Sequence, residues 1–273
     1  MTLFEALTAA RQKIDRLDAR LLLQYATGCT HADLLARPET PVIPPAYAQF
    51  AEWVDRRAAG EPLAYLVGEA EFRGRVFQVS PAVLIPRPET EVLIELALAR
   101  LHGLAAPKVL DLGTGSGIVA ISLALECPTA QVLAVDLSDD AIFVARNNAG
   151  RLGAKVDFRQ SDWFGALAGQ TFDLIVSNPP YVAEGDPHLE LNGLPFEPRL
   201  ALTDQVENGD GLACIRQIVA AAPAHLKPGG WLLFEHGYDQ GEASRNLLTR
   251  TGFKAAATQP DLAGIDRVSF GHL

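Results

Sequence analysis

The sequence predicts an α/β protein built on a mostly parallel sheet with helices on both faces, preceded by a small helical domain. Three observations carry this. From Lys108 onward, short aliphatic and β-branched runs alternate with stretches of helical periodicity, as strand-helix-strand units require. In the N-terminal quarter the apolar residues instead recur at helical spacing. Between the first strand-like run and the helix after it lie Gly113, Gly115 and Gly117, where a chain must turn tightly into a helix.

In chain order, Leu3, Ala6, Leu7, Ala10, Ile14, Leu17, Leu21 and Leu22 form the first apolar stripe. Ala48, Phe50, Trp53 and Val54 form another after the proline-rich stretch Pro41 to Pro45, so helices are expected in both places. Residues 71–86 read as two short strands around a turn, with Phe72, Val76, Phe77, Val79 and Val83 as apolar contacts. Residues 109–112 then precede a helix over 118–125, and 132–137 precede a helix over 140–152. A further strand is read at 172–177, and a helix over 212–226 leads into a strand at 231–235. Gly209 to Gly211 and Pro228 to Gly230 fall where turns are needed.

Composition narrows the function. The 273 residues carry 23 Lys and Arg against 33 Asp and Glu, a net charge of −10. Residues 1–80 hold 9 basic and 10 acidic side chains, leaving 14 against 23 for the rest. A chain that neutralises many phosphates needs a basic footprint, so avid binding to DNA or RNA is not expected. Cys29, Cys127 and Cys214 are odd in number and widely spaced, which supports neither a disulfide framework nor a zinc ribbon. The N-terminus lacks the apolar core of a secretory signal, and no run approaches a bilayer span. A cytoplasmic protein with reduced thiols and no metal is therefore expected.

Two motifs carry the chemistry. The first is Asp111-Leu112-Gly113-Thr114-Gly115-Ser116-Gly117, followed by Asp136 at the end of the next strand. Glycines admit close backbone approach to a ligand, and a carboxylate at that strand end can accept from both ribose hydroxyls of a nucleoside. The spacing is G-x-G-x-G, with Ile118 where a dinucleotide fingerprint has its third glycine. Asp111 would repel a pyrophosphate but suit a cationic amino acid moiety. S-adenosylmethionine fits this loop better than NAD.

The second motif is Asn178-Pro179-Pro180-Tyr181, directly after the apolar run FDLIVS. At a strand end it faces the same crevice as the glycine loop. The Asn178 side-chain carbonyl and the Pro179 backbone carbonyl are two acceptors for the two N–H bonds of a planar NH2 group. Held this way, the nitrogen gains electron density, and Tyr181 can stack on the flat group. Methyl transfer from a sulfonium is an in-line displacement, for which positioning supplies most of what is required.

In GTGSG, Asp136 and NPPY the chain resembles class I amino-methyltransferases. PLAYLVGEAEF (62–72), VLIPRPETE (83–91), QSDWF (160–164), FEPRLAL (196–202), NGDGL (208–212), FEHG (234–237) and GIDRV (264–268) narrow this. They resemble the N5-glutamine methyltransferases of peptide chain release factors, the HemK/PrmC family, from the interdomain region to the C-terminus. The resemblance implies a class I S-adenosylmethionine-dependent fold with a Rossmann-like seven-stranded sheet. It further implies a helical substrate-recognition domain over residues 1–69, a β-hairpin linker over 70–86 and a catalytic domain over 87–273.

By the same resemblance Gly113, Thr114, Gly115, Ser116 and Gly117 cradle the donor, Asp136 binds its ribose and Trp163 lies beside its adenine. Asn178, Pro179, Pro180 and Tyr181 hold the acceptor, the glutamine of the Gly-Gly-Gln loop of class I release factors, with Asn178 also bordering the donor. A monomer that contacts neither membrane nor nucleic acid is expected.

Other readings of the sequence are open. A sibling family methylates a glutamine of a ribosomal protein and shares NPPY, although the continuous RPETE of residues 87–91 looks like the release-factor branch. Adenine N6 is also a planar NH2, but a DNA adenine methyltransferase must extrude its base and hold a duplex, for which no basic region is evident. A silent docking module would not need both motifs intact. Arg87 and Glu89 suit an ion pair capping a helix as well as they suit substrate contact. Glu235 and His236 could line the crevice, with Glu235 as a structural acceptor the alternative. His31, His102, His188, His225 and His272 show no ligand spacing. The loop over 182–198 is long enough for a lid, and Phe234 is expected to affect packing.

Overall fold

The computed structural model describes all 273 residues. They divide into two compact units, one comprising Met1–Glu69 with Glu190–Phe196, the other Ala70–Leu189 with Glu197–Leu273.

The first unit contains five helices: α1 (Leu3–Ala10), α2 (Arg16–Thr27), α3 (His31–Ala36), α4 (Pro44–Ala58) and α5 (Leu63–Val67). Each start has a local cause. Thr2 and Glu5 form a reciprocal capping box on α1, and Thr30 and Asp33 form another on α3, satisfying N–H groups that a first turn leaves unpaired. The first apolar stripe is split between α1 and α2 because the Asp15 carboxylate accepts from the Leu17 N–H at 2.7 Å and begins a second helix. Leu17 therefore lies outward on the first turn of α2, 50% exposed, and Leu22 and Leu23 form the buried seam. The α4 helix starts at Pro44, where a missing N–H breaks no intrahelical bond. Leu3, Ala6, Leu22, Leu23, Phe50, Val54 and Leu66 make the core of this unit.

The β1 (Glu69–Phe72) and β2 (Arg75–Gln78) strands pair around Arg73 and Gly74, both at positive φ, the backbone of a tight hairpin turn. Phe72 and Phe77 meet edge to face at 6.3 Å and are buried. Val76 is 42% exposed; strand alternation that points Phe77 inward turns its neighbour outward.

The second unit continues with α6 (Thr90–Leu101), β3 (Lys108–Leu112), α7 (Ile118–Glu126), β4 (Gln131–Asp136), α8 (Asp139–Leu152), β5 (Val156–Gln160) and β6 (Phe172–Ser177). It closes with α9 (Arg199–Leu202), α10 (Ala213–Ala221), β7 (Leu226–Glu235), α11 (Gly241–Arg250), β8 (Lys254–Pro260) and β9 (Asp266–His272). The seven-stranded sheet runs β5-β4-β3-β6-β7-β9-β8. The first five strands are parallel and β9 pairs antiparallel with both β7 and β8. Alternate residues sort to two cores. Val109, Leu174 and Val176 join Leu93 and Ile94 of α6 and Ile121 of α7 on one face. Leu110, Leu112 and Ile175 join Ile215 and Ile218 of α10 and Leu248 of α11 on the other.

The helix read over 212–226 ends at Ala221, and a 3-10 turn over Ala222–His225 leads into β7; Pro223, lacking an N–H, cannot continue an α-helix. Phe234 is buried in the core shared with α10 and α11. The three cysteines are unpaired, and no helix is long and apolar enough to cross a membrane.

Candidate active site

The chain leaves β3 for β4 on one side and later returns to β6 on the other. The carboxyl ends of β3 and β6 therefore flank the point where strand order reverses, the usual ligand crevice of an open α/β sheet. Both motifs lie there. A cavity of about 350 Å³ opens at this place, lined by Asp111, Gly113, Thr114, Gly115, Ser116, Asp136, Trp163, Asn178 and Pro180, with Arg87 and Cys214 also on its wall.

The glycine loop is held from below. The Gly113 and Thr114 N–H groups both donate to the Val135 carbonyl at 2.9 and 3.0 Å. Gly117 begins α7 at φ +86, and a Cβ there would stand 2.8 Å from Ile121 Cδ1 and 3.2 Å from the Ala145 Cβ. This glycine serves the packing of α7 against α8 and does not line the cavity. Asn148, buried in α8, donates through Nδ2 to the carbonyls of Ser116 and Gln78 and accepts the Gln78 N–H through Oδ1. It thereby ties the loop to the hairpin.

Two carboxylates face the loop. Asp136 accepts the Gly115 N–H on Oδ2 and the Ser138 N–H on Oδ1, both at 2.9 Å. Each oxygen keeps a lone pair for a ligand hydroxyl. Burial raises its pKa above the ordinary value, against the lowering by these N–H groups. Asp111 accepts from Thr114 Oγ1 at 2.7 Å and the Ala120 N–H at 3.2 Å, both on Oδ2, which leaves the lone pairs of Oδ1 for a cation. Burial pushes its carboxyl up to about 7; a cationic ligand would bring it down again. Trp163 takes a left-handed backbone at φ +42, with its carbonyl accepting from Ser161 Oγ at 2.8 Å, and its ring stands over Gly113.

At the other motif, Asn178 Nδ2 donates to Thr90 Oγ1 at 3.2 Å, Thr90 Oγ1 donates to Glu235 Oε2 at 2.8 Å, and the Tyr181 hydroxyl donates to Glu235 Oε1 at 3.1 Å. Tyr181 is thus turned toward the core and, with the buried Pro179, does not line the cavity. Its carbonyl accepts from Gln240 Nε2 at 2.9 Å, and a Cβ on Gly211 would stand 2.3 Å from that same oxygen. NGDGL and Gln240 therefore fix the backbone of the tetrapeptide. Glu235 is fully buried, and desolvation lifts its carboxyl to about 7; Glu235 and His236 do not line the crevice. His236 Nδ1 meets the Gly237 carbonyl at 2.8 Å and Nε2 meets Ser269 Oγ at 2.9 Å. Burial lowers its pKa, favouring the neutral ring.

Arg87 does not pair with Glu89. Its Nη2 donates to the buried Glu197 Oε1 at 2.5 Å, and Glu197 Oε2 accepts the Ile85 N–H at 3.0 Å. Glu89 occupies the N-cap of α6 without a side-chain capping bond. A buried carboxylate that can reach a guanidinium outweighs a solvated pair one residue from the helix start. Thr90 and Glu197 lie in VLIPRPETE and FEPRLAL, which give neither a role of its own, and Asn148 and Gln240 lie outside every motif. Each acts through a partner distant in sequence.

Comparison with known proteins follows the same lines. The PrmC N-terminal domain model matches residues 3–68, and the methyltransferase small domain model matches residues 89–192. A release factor glutamine methyltransferase of Bordetella pertussis is 51% identical, covering 100% of both chains, and that of Burkholderia pseudomallei is 50% identical, covering 95% of this chain and 93% of its own. Among solved structures, the 16S rRNA N2 G1207 methyltransferase of T. Thermophilus, in complex with AdoMet and guanosine, superposes with a TM-score of 0.56 at 23% identity, covering 75% of this chain and 49% of its own. At that identity the likeness shows the fold. Full-length identity of this degree shows more: the chain belongs to the release factor glutamine methyltransferase family.

Proposed function

We propose that this protein transfers a methyl group from S-adenosylmethionine to the side-chain amide nitrogen of the glutamine in the Gly-Gly-Gln loop of class I release factors, and so acts on translation termination. The observation that carries the reading is the shared cavity: a nucleoside-type carboxylate, Asp136, and an amide-acceptor group, Asn178, line one wall-to-wall space at the switch point of the sheet. The full-length relatives named for this activity support it.

The residues fit the donor. Asp136 retains lone pairs for two ribose hydroxyls, Asp111 offers a carboxylate oxygen to an ammonium group, and Trp163 supplies an apolar wall for a purine. When bound, S-adenosylmethionine supplies an electrophilic methyl on a sulfonium. Asn178 Oδ1, on the cavity wall, accepts an N–H bond of the glutamine amide. It orients the amide and raises the electron density on a nitrogen whose lone pair is otherwise delocalised. Positioning and electrostatics then carry the reaction, with no metal in this reading. Residues 1–69 serve as the substrate-recognition domain, in keeping with the match of the PrmC N-terminal model and with the exposed apolar Phe4, Leu35 and Ile43. The protein works as a cytoplasmic monomer without nucleic acid, its net charge of −10 disfavouring a duplex.

Labelled donor incubated with the protein and purified release factor, ribosomal protein or duplex DNA tests the proposal. Label on the release factor is the expected result; label on either of the others instead overturns it.

A further inference from the structure

A side-chain amide has two ends of similar shape and opposite polarity, and only the hydrogen-bond network decides which end faces which neighbour. For Asn178 that decision is consequential. Its carbonyl end attracts the NH2 of an acceptor amide, whereas its NH2 end repels it.

The network around Asn178 has a direction. At one end is Glu235, at the close of β7 and fully buried. As a carboxylate it only accepts, so both hydroxyls that reach it must donate: Thr90 Oγ1 to Oε2 at 2.8 Å and the Tyr181 hydroxyl to Oε1 at 3.1 Å. A threonine hydroxyl has one proton. Once Thr90 has given it to Glu235, its oxygen can only accept from the next partner, Asn178 at 3.2 Å. Asn178 must then present Nδ2 to Thr90 and keep Oδ1 for the cavity that it lines. Thr90 is 0% exposed, opens α6 and brings this hydroxyl across from an element 88 residues away in sequence.

We infer that Thr90 is a positioning residue for methyl transfer: anchored by Glu235, its hydroxyl sets the polarity of the Asn178 amide, so that a carbonyl and not an NH2 group meets the acceptor glutamine. This rests on the reading of Asn178 as the acceptor-amide ligand and deepens it. The same carboxylate also holds the tyrosine of the tetrapeptide through its other oxygen, so both ends of NPPY take their orientation from one buried anion. Thr90 makes no contact with the cavity itself; it acts wholly through Asn178.

The test compares the full-length wild type with Thr90→Val, which keeps the β-branched shape and removes the hydroxyl, and Thr90→Ser, which keeps the hydroxyl and removes the methyl. At a pH of about 8, where Glu235 is ionised, Thr90→Val is expected to lose roughly 100-fold in kcat toward the release factor, the scale of a misplaced catalytic group. Its KM for the donor and its affinity for S-adenosylhomocysteine stay within about threefold of wild type. Thr90→Ser recovers turnover to within about threefold of wild type.

A readout independent of the acceptor accompanies this. The side-chain NH2 signals of Asn178, assigned by their disappearance in Asn178→Asp, exchange slowly with water in wild type and Thr90→Ser and rapidly in Thr90→Val. The inference is overturned if Thr90→Val keeps wild-type kcat, if Thr90→Ser is as impaired as Thr90→Val, or if the Asn178 amide exchanges alike in all three. Wild type that leaves the release factor unmodified while the exchange pattern holds counts against the proposed substrate and not against the network.

Discussion

The buried Glu235 makes a prediction about stability that does not involve the substrate. Its carboxyl is raised from 4.5 to about 7, chiefly by desolvation; Thr90, Tyr181 and Arg267 oppose the shift, and Glu89 adds to it. The native state therefore holds a proton that the unfolded chain has already released. Stability falls as pH rises through the interval between the two values, and stays at the lower level above it. Glu235→Gln has nearly the same shape and cannot ionise. Its own hydrogen-bond penalty is independent of pH, so it cancels when the difference from wild type is compared at two pH values. Between about pH 5 and about pH 8 the stability of Glu235→Gln relative to wild type should rise by roughly 2 to 3 kcal/mol, one pKa unit corresponding to about 1.4 kcal/mol. Urea unfolding of both proteins at the two pH values measures it. A gap that stays constant with pH, or narrows, would refute the assignment of Glu235 as a desolvated carboxylate.

The remaining predictions concern the cavity. Asn178→Ala should reduce kcat by about 100-fold or more while S-adenosylhomocysteine affinity, measured by calorimetry, changes by less than about threefold; a collapse of affinity with turnover preserved at saturating donor would reverse the role. Gly211→Ala places a Cβ 2.3 Å from the Tyr181 carbonyl at a φ of +73, so it should lower both the melting temperature and turnover. A destabilisation of roughly 1–3 kcal/mol is expected on the scale of a strained backbone site. Because the Asp111 carboxyl stands at about 7, a cationic donor that draws it down should release a proton on binding near neutral pH. Its affinity should weaken as pH falls below about 7; calorimetry in two buffers of different ionisation enthalpy detects the proton.

What the sequence made legible follows from burial and spacing. The strands β3, β4, β6 and β7 lie inside the sheet with apolar residues toward both cores, so each reads as a short aliphatic run. The strand β5 (Val156–Gln160) is an edge with much of its surface in water, and β8 (Lys254–Pro260) is an edge of alanines and polar residues. Neither stands out by pattern, and the count of seven strands came from the family resemblance. The outward turn of Val76 is not legible in the sequence, because composition alone does not give the pairing phase of a four-residue strand.

The site divides the same way. The glycine loop, Asp136 and Asn178 are adjacent to strand ends and therefore visible as motifs. Thr90 and Glu197 hold the cavity-lining Asn178 and Arg87 from behind, across sequence separations of 88 and 110 residues, and no local pattern announces such a bond. Of the two readings of Arg87, the pair with Glu89, near in sequence, gives way to one with Glu197, near in space, while Arg87 lines the cavity as substrate contact requires. Tyr181 was expected to stack on the acceptor, yet a buried carboxylate across β7 claims its hydroxyl.

The nitrogen that receives the methyl group distinguishes a protein-glutamine methyltransferase from a DNA adenine methyltransferase. The deciding measurement is peptide mass spectrometry of a class I release factor after incubation with this protein and S-adenosylmethionine, beside duplex DNA treated in the same way. One added methyl is expected on the glutamine of Gly-Gly-Gln, on its side-chain nitrogen, with the DNA unmodified. A methyl on adenine, or a release factor left unchanged by an otherwise active enzyme, would contradict it.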